Sequence, residues 1–312
     1  MITTEPNDAV RAFQDGVEFV MFQGDCMQLL RCLPDGLVHL VMTSPPYFMG
    51  KNYDRSYRVE DFYDDHQAIA PDIARVTRLR GNVCWQVGYH VQDKTILPLD
   101  FAVYETFRAQ TSLSLRNRII WHFGHGTHAK TRFSGRHETI LWYGKGTDSY
   151  FALDSVRVPQ KYPGKKHYKG PNKGEFSGNP LGKNPSDVWE IPNVNSNHVE
   201  KTAHPCQFPI ALAQRVVKAL CPFGGLVLDP FAGSGTTGLA AVMEGRAFIG
   251  ADTSKEFCEV AEERYLSLKS GTLAFRPADK AIWQPGANSS IAKRPEHFFE
   301  HLMEVRDGEK TL

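Results

Sequence analysis

The stretch Leu226-Val227-Leu228-Asp229-Pro230-Phe231-Ala232-Gly233-Ser234-Gly235-Thr236-Thr237 decides the fold. A short apolar run that reads as a strand enters a turn containing proline and glycine, and a helical pattern opens at Thr237. Glycines there let the chain bend tightly and let a ligand approach the backbone. Free N–H groups at the helix start favour an anionic group such as a carboxylate. The Gly-Lys-Ser/Thr ending of a phosphate-binding loop is missing, and so is the GxGxxG pattern of dinucleotide folds. A plain strand-to-helix turn is the simpler alternative. The next apolar run, Phe248-Ile249-Gly250-Ala251-Asp252, ends in an acid 23 positions after Asp229. In open α/β sheets an acid about 20 residues beyond the glycine loop holds ribose hydroxyls. Asp252 could instead cap the following helix, whose first turn contains Ser254 and Glu256. The glycine loop upstream favours ribose.

Alternation of strand-like and helix-like runs extends from this stretch in both directions. A helix is expected over 205–220, a strand over 247–251 and a helix over 255–268. Nearer the start, 17–22 is β-prone, 26–33 suits a helix closed by Pro34-Asp35-Gly36, and 38–42 is strongly β-like. A helical pattern follows over 61–80, a strand over 82–87, a helix over 99–108, and two apolar β runs around 118–123 and 138–143. Such alternation predicts an α/β fold with a mostly parallel sheet and helices on both faces. Residues 155–197 break the rhythm: they are rich in Pro, Gly, Asn and Lys and lack periodicity. A long irregular insert inside a compact domain is often functional. From 271 onward the chain reads as an irregular tail, with one short helix near 296–303.

A second motif, Thr43-Ser44-Pro45-Pro46-Tyr47, closes the 38–42 strand. Two prolines cannot continue a central strand or a helix interior. They fix extended backbone at the sheet edge where α/β ligands bind, and they set a hydroxyl, a rigid carbonyl and an aromatic ring in one stiff unit. A proline turn after a strand is the bland alternative, and it leaves the polar and aromatic flanks unexplained.

The 312 residues suffice for a sizeable core; 41% are hydrophobic and 23% charged, and the net charge is +1. Disorder and fibrous repeats are therefore not expected, and nucleic-acid binding would need local charge. No apolar run approaches the ~20 residues of a membrane span. Met1-Ile2-Thr3-Thr4-Glu5-Pro6 lacks the features of a secretion signal. The six cysteines form no CxxC pair and no Cys/His cluster, so no metal site is expected. Cys26, Cys84 and Cys258 read as buried small hydrophobes. A reducing cytoplasm fits this usage.

Together, Thr43-Ser44-Pro45-Pro46-Tyr47, Asp229-Pro230-Phe231-Ala232-Gly233-Ser234-Gly235-Thr236-Thr237 and His204-Pro205-Cys206-Gln207-Phe208-Pro209 resemble the amino-methylating DNA methyltransferases. The order matches their permuted β group, with the catalytic motif first, a variable recognition region next and the cofactor loop last. Gly24-Asp25-Cys26 resembles the segment those enzymes carry before the catalytic motif, and the likeness spans roughly 17–268. It implies a Rossmann-like fold and S-adenosylmethionine as cofactor. Phe231 and Gly233, with Asp229, Gly235 and Thr236 in the same loop, would bind it. Asp252 would hold the ribose, Asp25 would close the pocket, and His204 and Pro205 would bring the methionine end into place. For His204 the alternative is a loop histidine capping the next helix. The implied organisation is a catalytic half over 1–150, a basic insert over 151–200, a cofactor-binding half over 201–270 and a tail over 271–312.

The resemblance also implies a mechanism. An exocyclic amine is a poor nucleophile because its lone pair is conjugated with the ring. Hydrogen bonds from its hydrogens to Ser44 and to the Pro45 carbonyl would favour a tetrahedral nitrogen, with Pro46 stiffening the turn by positioning. The target must leave the duplex, so Tyr47 is the expected stacking ring; Phe48 is a second wall or a core filler. The family's residue correlation sets cytosine N4 slightly ahead of adenine N6, because Ser44 stands where adenine enzymes usually carry an acid. Double-stranded DNA is the expected partner, contacted by Lys161, Lys165, Lys166, Lys169 and Lys173, interleaved with Tyr162, His167, Tyr168 and Phe176. The run Lys130-Thr131-Arg132-Phe133-Ser134-Gly135-Arg136-His137 offers further basic contacts. A homodimer and a cognate restriction enzyme are compatible partners. Rival readings are an RNA or protein amine substrate, and a non-catalytic DNA-binding module.

Overall fold

The computed structural model describes residues 1–47, 58–126, 128–286 and 289–293. Phe48 and the 296–303 helix lie outside them. Met1–Ala278 forms one unit and Asp279–Leu312 another; the latter contains a 3-10 turn at Ser290–Ala292.

In chain order the first unit runs β1 (Ile2–Thr3), α1 (Pro6–Gln14), β2 (Phe19–Gln23), α2 (Cys26–Cys32), β3 (Val38–Thr43), α3 (Val59–Val76) and β4 (Thr77–Val87). There follow the hairpin β5 (His90–Gln92) and β6 (Thr95–Leu97), then α4 (Leu99–Gln110), β7 (Leu113–His122), β8 (His137–Lys145) and β9 (Val188–Glu190). Next come α5 (Ile210–Leu220), β10 (Leu226–Asp229), α6 (Thr236–Met243), β11 (Ala247–Asp252) and α7 (Lys255–Lys269). Nine strands form one sheet in the order β1-β2-β11-β10-β3-β4-β8-β7-β9. Its pairs are parallel except those made by β8, which runs against both β4 and β7. This is a Rossmann-like, mostly parallel α/β sheet.

Each central strand is apolar on both faces because helices cover both. Val20 and Phe22 of β2 pack with α1 to α4, whereas Phe19 and Met21 pack with α5 to α7. Val41 and Leu40 divide in the same way on β3, and Leu228 and Val227 on β10.

Several boundaries differ from expectation for local reasons. The 61–80 helix stops at Val76, where Thr77 turns extended and its hydroxyl donates to the Ile73 carbonyl at 2.7 Å. β-Branched Thr77 then begins β4, and a register shift against β3 absorbs the early start. The 205–220 helix begins only at Ile210. Phe208 precedes Pro209, which disfavours helical backbone there, and Pro209 itself is extended at the helix edge. The insert is not wholly without elements. Val188–Glu190 joins the sheet beside β7, and isolated bridges link Val158 to Lys183 and Lys166 to Phe176. Cys84 and Cys258 are buried, as is Cys221, whereas Cys26 is only partly so.

Fully buried Asn82 ties the sheet to the helical layer. Its amide donates to the Tyr150 carbonyl at 2.9 Å and the Leu220 carbonyl at 2.8 Å, and its oxygen accepts from the Trp142 indole at 2.8 Å. Asn82→Ala strands all three partners and is expected to cost about 3 kcal/mol, read as a lower urea midpoint. An unchanged midpoint would show that these bonds carry no net stability.

Candidate active site

The C-terminal ends of β2, β11, β10 and β3 open on a cavity of about 470 Å³. Parallel pairing sets these ends at one edge, so motifs far apart in sequence meet there. Asp25, Ser44, Pro45, Pro46, Tyr47, His204, Phe231, Gly233, Thr236 and Asp252 all line it. Three expected residues do not: Asp229, Pro205 and Gly235 lie outside the lining.

Asp229 is turned away into the protein. Its carboxylate accepts the Thr43 hydroxyl at 2.6 Å, the Thr237 hydroxyl at 2.7 Å and the Phe231 N–H at 3.1 Å. It therefore joins the end of β3 to both sides of the glycine turn. Gly235 has φ +72°, and a Cβ there would stand 2.7 Å from Ala261 Cβ, so the glycine serves helix packing rather than ligand approach. Gly233, with φ +51°, does face the cavity; a Cβ on it would lie 2.8 Å from His204 Nε2. From behind, buried Arg264 of α7 donates to the Ser234 carbonyl at 2.6 Å and to the Thr236 hydroxyl at 3.0 Å.

Asp252 accepts the Gly233 N–H at 3.0 Å and the Ser254 N–H at 2.8 Å, and burial raises its pKa. The helix cap is Ser254, whose hydroxyl accepts from Phe257 N at 3.3 Å. Asp25 accepts from Met27 N at 2.9 Å as the cap of α2 and stands at the same edge, because β2 pairs with β11. His204 does not cap α5: its Nδ1 accepts from Cys206 N at 3.3 Å and its ring meets Phe257 edge-on at 4.4 Å. Burial lowers it to about 4, so it is neutral. The α5 start is held instead by buried Glu200, which accepts from Ile210 N at 2.8 Å and Arg276 N at 3.0 Å.

On the other side, Pro45 is buried, Pro46 is exposed and Tyr47 is only 9% exposed. His66 of α3 forms part of the wall. Trp85 Nε1–H donates to His66 Nε2 at 3.0 Å, so the His66 proton is on Nδ1 and donates to the Phe62 carbonyl at 2.7 Å. Burial lowers His66 to about 4. A second cavity of about 430 Å³ lies beyond Tyr47 and is lined by Tyr89, Phe123, His125, His128, Arg132, His137, Glu138 and Asn193 among others; Tyr47 borders both cavities.

Lys161, Lys165, Lys166, Lys169 and Lys173 line neither cavity and are exposed along the insert. Lys161 Nζ lies 5.3 Å from the Tyr162 ring centre and Lys166 Nζ 5.4 Å from that of Phe176.

Sequence reasoning missed His66, Arg264 and Glu200. His66 carried a signal, since Phe62, His66, Ile69 and Ile73 repeat at helical spacing on the buried face of α3. A lone arginine in a helix and a lone glutamate in a loop carried none.

Burial raises Asp229 to about 6 despite its three donors. In the unfolded chain this carboxyl ionises near pH 4, so the stability it contributes is full below about 4 and is lost as pH rises to about 6. The unfolding free-energy difference between wild type and Asp229→Asn is expected to change across that window and level off above it. A constant difference in urea titrations would contradict a raised Asp229.

The N6/N4 DNA methylase family model matches residues 38–263. The chain is 44% identical over 242 residues to type II methyltransferase M.BglII of Bacillus subtilis, covering 77% of this chain and 67% of that protein. It is 35% identical over 263 residues to type II methyltransferase M.ScaI of Streptomyces caespitosus, covering 81% and 83%. Its fold is similar to that of the cytosine-N4-specific PvuII DNA methyltransferase, with a TM-score of 0.64 at 21% identity over 78% of this chain and 85% of that one. With a family match across both the Ser44-Pro45-Pro46-Tyr47 turn and the glycine loop, the chain belongs to the N6/N4 DNA methylases.

Proposed function

We propose that the chain transfers a methyl group from S-adenosylmethionine to the exocyclic amine of a base flipped out of double-stranded DNA, with cytosine N4 ahead of adenine N6. The observation that carries this reading is the meeting of Ser44, Pro45 and Tyr47 with Phe231, Gly233 and Asp252 on one cavity.

The chemistry of the lining fits the cofactor. Among the described residues no Lys or Arg lines the first cavity, and His66 and His204 are neutral. Asp25, Asp65 and Asp252 are its acids. Such a wall suits a ligand with a positive centre and disfavours a polyphosphate nucleotide. Phe231 and Gly233 would hold the methionine part and Asp252 the ribose. Each Asp252 oxygen accepts one N–H and retains a further acceptor site for a hydroxyl. Asp25 would close the pocket and His204 would wall it. Bound there, S-adenosylmethionine supplies an electrophilic methyl group. Ser44 and the Pro45 carbonyl accept the amino hydrogens of the base, which frees the nitrogen lone pair. Tyr47 offers its ring to the flipped base. Solvent reaches the rim at exposed Asp25 and Pro46 and takes the final proton. Asp229 and Gly235 shape this arrangement from behind the lining.

Residues 1–150 then supply the catalytic half and 201–270 the cofactor half, while 151–200 reaches DNA through its lysines. A DNA substrate and free thiols fit a cytoplasmic enzyme. Serine at position 44 supports cytosine, although adenine N6 and N1 present the same donor–acceptor pair as cytosine N4 and N3. Mass spectrometry of nucleosides from DNA treated with the protein and S-adenosylmethionine tests the assignment. N4-methylcytosine is expected, and N6-methyladenine alone would reverse the base while leaving the site roles in place.

Asp252→Ala is expected to weaken S-adenosylmethionine binding by about 1.5–3 kcal/mol in calorimetry. Unchanged affinity in a folded variant would remove the ribose role. Neutralising Lys165, Lys166 and Lys169 together is expected to lower DNA affinity and to flatten the log–log salt slope by about 0.9 per lost phosphate contact. An identical slope would mean that the insert does not hold the duplex.

A further inference from the structure

Tyr47 is held by more than its own turn. Its ring packs over Gly88, where an added Cβ would stand 3.0 Å from Tyr47 Cε2 and 3.5 Å from Glu138 Cγ. A side chain at position 88 would press on both the phenol and the carboxyl. The Tyr47 hydroxyl hydrogen-bonds Glu138, and the buried amide of Gln86 donates to the same carboxylate. Gln86 belongs to β4 and Glu138 to β8, while Tyr47 follows β3; the three strands are neighbours in the sheet. Glu138 opens on the second cavity and not on the first. The carboxyl thus reaches the catalytic turn only through Tyr47.

We propose that Glu138 is a positioning residue for methyl transfer: with Gln86 it holds the Tyr47 hydroxyl and so fixes the ring that receives the flipped base. This rests on the DNA-methylation reading above. Hydrogen bonding to a side chain that must stack sets the plane of the ring before substrate arrives. Misplacement at such a site costs rate rather than binding. The ionised carboxyl accepts from both Tyr47 and Gln86, whereas the protonated acid gives up part of that capacity. Loss of hydration raises Glu138 to about 7, which brings its titration into the working range. The other titratable or charged groups around the pair are Tyr89 after β4, His125, His128 and Arg132 after β7, His137 beside Glu138, and Cys206 on the Tyr47 side.

The test uses the full chain, labelled S-adenosylmethionine and unmethylated genomic DNA at saturation. E138A and Y47F are each expected to lower the turnover rate about tenfold or more, with smaller changes in KM. The double variant is expected to be no worse than the poorer single one, because both break the same bond. E138Q keeps a single carbonyl acceptor, as the protonated acid does, so its rate is expected to lie between those of E138A and the wild type. The wild-type rate falls as pH drops through about 7, and the E138Q profile stays flat there. Additive losses in the double variant, E138Q as poor as E138A, an effect on KM alone, or an E138Q profile that falls like the wild type overturns the role. Should E138A fail to fold, an undiminished rate in Y47F overturns it equally. A wild-type chain that binds DNA and cofactor yet transfers no label overturns the function and this role together. An active wild type with indifferent variants overturns this role alone.

Discussion

The Asp229 carboxylate is the joint on which the site depends. It is buried, and it binds Thr43 across 186 positions of sequence and Thr237 across the glycine turn. Thr43 precedes Ser44 directly, so the bond sets where the catalytic turn leaves the sheet. The Phe231 N–H on the same carboxylate sets where the glycine loop begins. Burying an acid is unfavourable, and its raised pKa is the sign of that. The three donors offset much of the penalty and give a fixed distance between two motifs from opposite ends of the chain.

Other buried polar groups fix neighbouring parts of the structure. Arg264 props the turn after Gly233, Glu200 holds the start of α5, and His66 is clamped between Phe62 and Trp85. The Arg264 and Glu200 contacts join a side chain to backbone that has no ladder partner there. Loops bounding a ligand cavity have few ladder bonds of their own, so their shape must come from such anchors.

The sheet was legible because its strands are apolar runs and its helices amphipathic, both of which are local signals. The glycine turn and the proline turn were legible because those residues restrict or free the backbone by themselves. What escaped depended on tertiary placement. Nothing in the sequence near Asp229 or Gly235 says that one points into the core and the other packs on Ala261, since their neighbours Pro230, Ser234 and Thr236 line the cavity. Pro205 was read as a helix start, but Pro209 moves the start to Ile210 and leaves Pro205 in the preceding loop. Val188–Glu190 is too short to announce itself and forms because β7 offers an open edge.

Charge divides at Tyr47. On one side lies a wall with acids, neutral histidines and, among the described residues, no Lys or Arg. On the other side, His125, His128, Arg132 and His137 surround Glu138. The acids of the first favour a positively charged methyl donor. An aromatic ring at the boundary has no net charge and offers a face to a neutral base. Its hydroxyl, turned to the second side, is the one polar handle by which the protein can hold it. Ser44 lines the first cavity with the three acids, and its hydroxyl can accept a hydrogen bond there without adding a further charge.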